Sequence, residues 1–261
     1  MNTVQRYLDS LLSKGRISFL SREFQNTLKL SSIGAKFALI RLRRDRLIAT
    51  PVHEFNIILS AADRLPGCRP ANEFIDDLMQ FLSLPYYVGL LSAAEIHGAA
   101  HHRPQVFQVM VPKVRRTIEC GRTRIEFIRQ HKLATIPTLR QKTKSGYIAV
   151  STPEATAFDL ITYDKRSGGM DNVATVLSEL AETLSVDKLV SIATKYPISS
   201  SQRLGYILDL LKKRSLTPTL KNYVKKKAMR YTPLLPGKSM LKASRSSEWK
   251  VAINENIEPE L

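Results

Sequence analysis

The 261-residue chain has only two cysteines, Cys68 and Cys120, far apart and without CxxC spacing. That excludes a disulfide framework and a zinc ribbon, and both are expected as ordinary reduced thiols. No run of eighteen apolar residues occurs, so no segment reads as a membrane-spanning helix. The beginning MNTVQRYLDS lacks the charged-then-apolar layout of a signal peptide, which points to a cytoplasmic location. Absent too are a GxxxxGKS loop, a GxGxxG fingerprint, a GxSxG elbow and a paired-carboxylate signature. No acid precedes a Glu-x-Lys or Asp-x-Lys on a plausible strand, as a nuclease would need; Asp164-Lys165 follows a helix. The reading is therefore of a binding protein with no catalytic residue, no metal and no cofactor. Acidic residues are also scarce: 23 Asp and Glu face 40 Lys and Arg, a net charge of +17. Such a field attracts polyanions.

What is present starts with enough apolar character, 43% of residues, for one large core or two or three small ones. The positive charge is spread over every third of the chain, but it also clusters. Between Leu210 and Ser247 there are eleven Lys or Arg and no acid, including Lys212, Lys213 and Arg214 and then Lys225, Lys226 and Lys227. Two readings stand for this stretch: a solvated face, or a surface for nucleic acid or an acidic protein.

Val4, Tyr7, Leu8, Leu11 and Leu12 fall at helical spacing and stop at Gly15, which predicts a first amphipathic helix. After the extended ISFL, Ser21 opens a segment with Phe24, Leu28 and Leu30. Ser31-Ser32 then opens GAKFALIRLRRDRLI. Two helices joined by a short polar turn make a helix-turn-helix pattern. Leu47–Thr50 and Phe55–Leu59, flanking Pro51-Val52-His53, suit a two-stranded wing. On the third helix Ala35, Ala38, Leu39 and Leu42 share one side, while Lys36, Arg41, Arg43 and Arg44 lie around the other. A helix of this kind can enter the major groove, with Ser32 and Lys36 towards base edges and the arginines on phosphates or guanine. The candidate DNA-contacting set is Ser31, Ser32, Lys36, Phe37, Arg41, Arg43, Arg44 and Arg46, with His53 on the wing. Ile33, Phe37 and Ile40 add an apolar stripe near the positive side, which would suit contact with another domain or a second subunit.

ADRLPGCRPAN carries Gly and two Pro without periodicity and marks a boundary near 62–70. Beyond it, Phe74, Leu78, Phe81 and Leu82 form a helical stripe, and Leu90–Ile96 a short helix. Strands are predicted at 106–111, 115–120, 124–129 and 147–150. Their basic residues, with Lys113, Arg115 and Arg116 as candidates for toxin or nucleic-acid contact, read equally as protective edge charges. Thr152-Pro153-Glu154 has the cap, first-turn proline and first-turn acid of a helix start. Helices follow at about 171–183, 186–195, 200–214 and 217–230. The stretch from 232 to 261 has turn residues and little periodicity and is expected to dock loosely.

His97 and His101 stand four apart, as zinc ligands on a helix do. Gly98, however, occupies the position where the general-base Glu would be, and it is a helix-ending residue. Asp159 lies on an Ala- and Phe-lined segment as a functional acid or, more simply, a hydrogen-bonded core residue.

Taken together, the N-terminal winged-helix pattern, YYVGLLSAAEIHGAAHHRPQVFQVMVPK (Tyr86 to Lys113) and STPEATAFDLI (Ser151 to Ile161) resemble the AbiEi family of antitoxins from abortive-infection, type IV toxin-antitoxin systems. The resemblance covers about residues 1–165 and implies a transcriptional autorepressor. Its winged helix would bind inverted repeats in its own promoter, as a monomer or weak dimer on double-stranded DNA. The rest would counter a cognate nucleotidyltransferase-like toxin, directly or through its target. By position, the recognition helix is Ser32 to Arg44 and the wing Leu47 to Leu59; family wings carry a glycine-rich turn, which this one lacks.

The expected fold is α+β: a winged helix-turn-helix over 1–62, then a mixed sheet-and-helix domain over 70–231 ending in a helical bundle. Two rival functions are kept. One is a metal-dependent nucleic-acid enzyme using His97, His101 or Asp159. The other is a basic module whose helices at 212–230 grip an acidic toxin without reading DNA.

Overall fold

Local sequence decides where the main helices begin. Ser31 and Thr152 adopt extended backbone, and each hydroxyl accepts a backbone N–H three residues on: Gly34 N at 3.1 Å and Ala155 N at 3.3 Å. In the computed structural model, which describes residues 3–99 and 104–260, the chain runs through α1 (Thr3–Ser13), β1 (Ser18–Leu20), α2 (Ser21–Thr27), α3 (Ser32–Arg44), β2 (Ile48–Val52), β3 (Phe55–Ile58), α4 (Ala71–Phe81) and β4 (Tyr87–Val88). There follow α5 (Leu90–Ile96), β5 (Phe107–Val111), β6 (Ile118–Cys120), β7 (Thr123–Arg129), β8 (Thr138–Lys142), β9 (Tyr147–Ser151) and α6 (Pro153–Thr162). The chain ends with α7 (Met170–Leu180), α8 (Val186–Ala193), α9 (Ile198–Leu210), α10 (Pro218–Lys227), β10 (Thr232–Pro233), β11 (Ser244–Ser246) and β12 (Val251–Ile253). The class is α+β. Among the described residues, no helix is long and apolar enough to cross a membrane.

These elements group into two units that alternate along the sequence. One comprises Met1–Tyr87, Gln105–His131 and Arg140–Ala149, the other Val88–Pro104, Lys132–Leu139 and Val150–Leu261. A single boundary near 62–70 does not convey this interleaving.

In the first unit, β1, β3 and β2 form an antiparallel sheet, with β3 between the other two. Its core joins Tyr7, Leu8 and Leu11 of α1 to Phe19, Phe24, Ala35, Ala38, Leu39 and Leu42. Tyr7 meets Phe19 and Phe24 edge-on at 5.6 and 5.4 Å between ring centroids, geometry that adds to the burial itself. Elsewhere in this unit β5 pairs in parallel with β7, and β6 pairs antiparallel with β7.

Gly121, in the β6–β7 turn, presses against the 66–68 loop: a Cβ there would lie 2.2 Å from the Pro66 carbonyl oxygen, and its φ is +54°. Only glycine fits. Arg122 N donates to that same oxygen at 2.8 Å. This approach brings Cys68 and Cys120 together, which their separation in sequence concealed. They are free thiols in mutual hydrogen-bond contact. That contact, with burial, pushes the Cys68 thiol up, and the same contact pulls Cys120 down.

In the second unit, β4 and β9 pair in parallel through Val88 and Val150. Helix α6 is buried over most of its length, and Phe158 stacks on Tyr196 with centroids 5.1 Å apart. The segment beyond Tyr231 corrects the expectation of a loose tail. It forms a sheet in the order β10-β12-β11, and Trp249 is 1% exposed. The indole Nε1–H donates to Asp209 Oδ2 at 2.7 Å, and the ring lies on Gly205, where a Cβ would stand 2.0 Å from it. One large side chain in a glycine notch anchors a stretch whose own periodicity is too weak to show it. Strand β8 was likewise missed, because all five of its residues are exposed and no apolar alternation marks it.

Candidate nucleic-acid interface

Helix α3 presents two different surfaces. Ala35, Ala38, Leu39 and Leu42 are buried, whereas Ser31, Ser32, Lys36, Phe37, Arg41, Arg43, Arg44 and Arg46 are all exposed. The cations were expected to face outward, and they do. At a helical 100° per residue, Ser32, Lys36 and Arg43 fall on one exposed flank; Ile33, Phe37, Ile40, Arg41 and Arg44 fill an adjoining sector.

The first flank borders an open groove of about 660 Å³ between α2, α3 and the β2–β3 hairpin. Its walls are Ser21, Arg22 and Gln25 from α2, Ser32, Lys36, Leu39 and Arg43 from α3, and Thr50, His53, Glu54 and Asn56 from the hairpin. A polar network fixes the floor. Asn56 is 1% exposed; Thr50 Oγ1 donates to its Oδ1 at 2.8 Å, and its Nδ2 donates to Ser21 Oγ at 3.0 Å and to the Glu54 carbonyl at 3.3 Å. Every polar atom of that amide is engaged, so the hairpin cannot slide against α2 without breaking buried hydrogen bonds. Arg22, Gln25, Thr50 and Asn56 were not foreseen. An Asn inside the apolar run FNII was the one signal pointing to them.

The hairpin turns without glycine. Val52 pairs with Phe55, so His53 and Glu54 make a two-residue turn, and Glu54 takes φ +71°. A non-glycine residue there costs roughly 1–2 kcal/mol. Backbone support offsets this: Ser21 N donates to the Glu54 carbonyl at 2.9 Å. His53 is exposed, with Nε2 3.8 Å from Glu54 Oε1. Two arginines are partly engaged: Arg44 Nε lies 3.1 Å from Asp45 Oδ1, and Arg46 Nη1 donates to the Arg64 carbonyl at 3.4 Å.

The other basic candidates do not join this groove's lining. In the first unit Lys113 and Arg116 are exposed, while half-buried Arg115 places its guanidinium 5.9 Å from the Phe127 ring centroid. In the second unit Lys212, Arg214, Lys225, Lys226 and Lys227 are exposed, and Lys213 Nζ lies 4.0 Å from Glu182 Oε1. The three lysines of α10 occupy its last turn, where positive charge complements the helix dipole.

His97 caps the end of α5, and Gly98 follows it at φ +81°. Its Nε2–H donates to the Ser151 carbonyl at 2.8 Å, and burial pushes its pKa down. His101 lies outside the described residues. No group of three or more His, Cys, Asp or Glu stands ready for a metal among the described residues. Asp159 is fully buried and accepts the Tyr196 hydroxyl at 2.8 Å, the bonding of a core residue.

Residues 87–210 match the family described as the AbiEi antitoxin C-terminal domain. The chain carries an AbiEi antitoxin domain. The match supports an antitoxin of a toxin-antitoxin system, and that family implies a toxin partner in general. The match begins beyond α3 and its groove. No curated protein matches the chain. Among solved structures, the RV2827C protein from Mycobacterium tuberculosis is similar over 96% of this chain and 91% of its own, at 16% identity and a TM-score of 0.70. The likeness shows a shared fold. An antigenic nucleotidyltransferase-like protein from Paracoccidioides brasiliensis matches 62% of this chain and 94% of its own, at 13% identity and a TM-score of 0.38. The antibiotic-resistance factor ANT(2'')-Ia matches 46% and 85%, at 11% identity and 0.32. Scores that low carry no argument about this chain.

Proposed function

We propose that the AbiEi antitoxin domain is joined to a winged-helix DNA-binding domain over residues 1–62, and that the protein represses its own promoter by binding inverted repeats there. The observation that supports this most directly is the outward cationic face of α3 beside an open groove whose far wall is a hairpin. Arg41, Arg43, Arg44 and Arg46 position the helix through phosphates, and Ser32 and Lys36 reach base edges. Arg22 and Gln25 extend the polar surface onto α2. His53 stands at the hairpin tip, where a wing meets the backbone of the duplex. Two such surfaces are needed for an inverted repeat, supplied by a weak dimer or by two monomers placed by the DNA.

The domain over 70–231 acts against a nucleotidyltransferase-like toxin, with the lysines of α10 as candidate contacts, and the protein is a regulator of the cytoplasm rather than an enzyme. The decisive experiment is a gel shift on the promoter duplex with the Lys36→Ala, Arg41→Ala double variant. Both residues are exposed, so the fold persists and affinity falls. Unchanged affinity in the folded variant removes α3 as the reader.

A further inference from the structure

The adjoining sector of α3 departs from an ordinary phosphate-binding face. Ile33 is 70% exposed, Phe37 60% and Ile40 40%, on one side of one helix. Exposed apolar side chains in so tight a group mark a contact surface. The chemistry around them narrows the choice of occupant. Arg41 and Arg44 lie in the same sector, Lys36 and Arg43 flank it, and the one acid beside it, Asp45, sits at the helix end against Arg44. A second copy of the chain placed symmetrically on this face would bring its arginines against these with no acid in the sector to pair them. An occupant that is anionic at its edges and apolar at its centre fits. The major groove of duplex DNA meets that description where thymine C5-methyl groups line its floor between phosphate rows.

We infer that Ile33, Phe37 and Ile40 are specificity-determining residues that read thymine methyl groups, so that the preferred duplex carries closely spaced A·T pairs. The inference rests on the DNA-binding reading and adds base preference to it. The dimensions agree. Ile33 to Ile40 spans about 10 Å along the axis at 1.5 Å per residue, about three base-pair steps of 3.4 Å. Phe37, central and long, reaches deepest; Ile33 and Ile40 lie one turn to either side. Ser32 and Lys36 then supply hydrogen bonds on the hairpin side, so polar and methyl readout come from adjacent flanks of one helix.

The test separates the methyl from every other feature of the base. Duplexes enriched from a random-sequence pool by the full-length protein are resynthesised with deoxyuridine replacing thymidine, one position at a time and then together. Burial of one methyl is worth about a fourfold change in affinity, so loss of two costs about fifteenfold. The expected result is that loss at two or three adjacent positions, with little effect elsewhere. Phe37→Ala, an exposed substitution that leaves the core untouched, weakens binding to the thymine duplex and narrows the difference between the two duplexes, and the triple variant Ile33→Ala, Phe37→Ala, Ile40→Ala erases it.

Equal affinity for thymine and uracil duplexes overturns the inference while leaving DNA binding in place. So does a difference that survives undiminished in the triple variant. Failure to enrich any duplex is the separate result that removes the DNA-binding reading itself. A concentration-dependent dimer in sedimentation, dissociated by Phe37→Ala, reassigns the face to a second copy and overturns the inference as well.

Discussion

Replacing Arg41 and Arg43 by alanine should flatten the salt dependence of duplex binding. Each phosphate contact contributes about 0.9 to the slope of log affinity against log salt, so two lost contacts lower it by about 1.8. Between about 50 and 200 mM salt that is about a twelvefold narrowing of the gap between parent and variant. The choice of residues follows from their placement. Arg43 lines the groove, and Arg41 lies on the other exposed flank of α3, so in the proposed complex the two would address different phosphates. Arg44 spends part of its charge on Asp45, and its removal alone should change the slope by less than that of Arg41. All three are exposed, and alanine favours a helix, so melting temperatures should stay near the parent's. Fluorescence anisotropy of a labelled promoter duplex at five salt concentrations measures the slope. The comparison is Lys225→Ala with Lys226→Ala, in the last turn of α10. An unchanged slope for the α3 variant beside a reduced one for the α10 variant refutes the reasoning and shifts the polyanion site to the second unit.

Three further outcomes follow from the packing. Gly205→Ala places a methyl 2.0 Å from the Trp249 ring, and the overpacking should cost at least about 1–3 kcal/mol in urea unfolding; parent-like stability would show that the tail shifts freely. Cys120, half-buried and with its thiol pulled down by Cys68, should alkylate with iodoacetamide ahead of buried Cys68, and Cys68→Ser should slow it; mass spectrometry of the labelled peptides decides. His97 is held neutral because burial disfavours its charged form, so its folded pKa lies below the unfolded one. Its contribution is present above the usual imidazole range and lost on acidification through the folded value. Urea midpoints measured at about pH 7.5 and about pH 5.5 should therefore differ less in His97→Gln than in the parent.

Much of the first 60 residues could be read from the sequence, because there the local signals agree with the packing. Ser31 caps, Ala35, Ala38, Leu39 and Leu42 keep helical period on the buried side, and the charges fall elsewhere. Sequence failed where meaning depends on a distant partner. Asn56 looks like a flaw in an apolar strand until Thr50, Ser21 and the Glu54 carbonyl surround it. Cys68 and Cys120 become neighbours only through the close approach at Gly121. Trp249 gives no periodic signal of its own, and its pocket is made by the absence of a side chain at Gly205. Strand β8 has no buried residue to betray it. Within the site, the candidate residues of α3 were visible, while Arg22 and Gln25 were not, since a seven-residue helix offers too short a pattern to tell a groove wall from a solvated face.

The interleaving of the two units bears on how the antitoxin role and the proposed DNA-binding role can be pulled apart. A cut at residue 62 or 70 strips the N-terminal helices of the 105–131 and 140–149 segments that complete their unit, and it leaves those segments stranded in the other fragment. Lost repression in a truncated protein would then report misfolding rather than a missing function. Single side-chain changes on exposed faces, made in the intact polypeptide, are the instrument this architecture calls for.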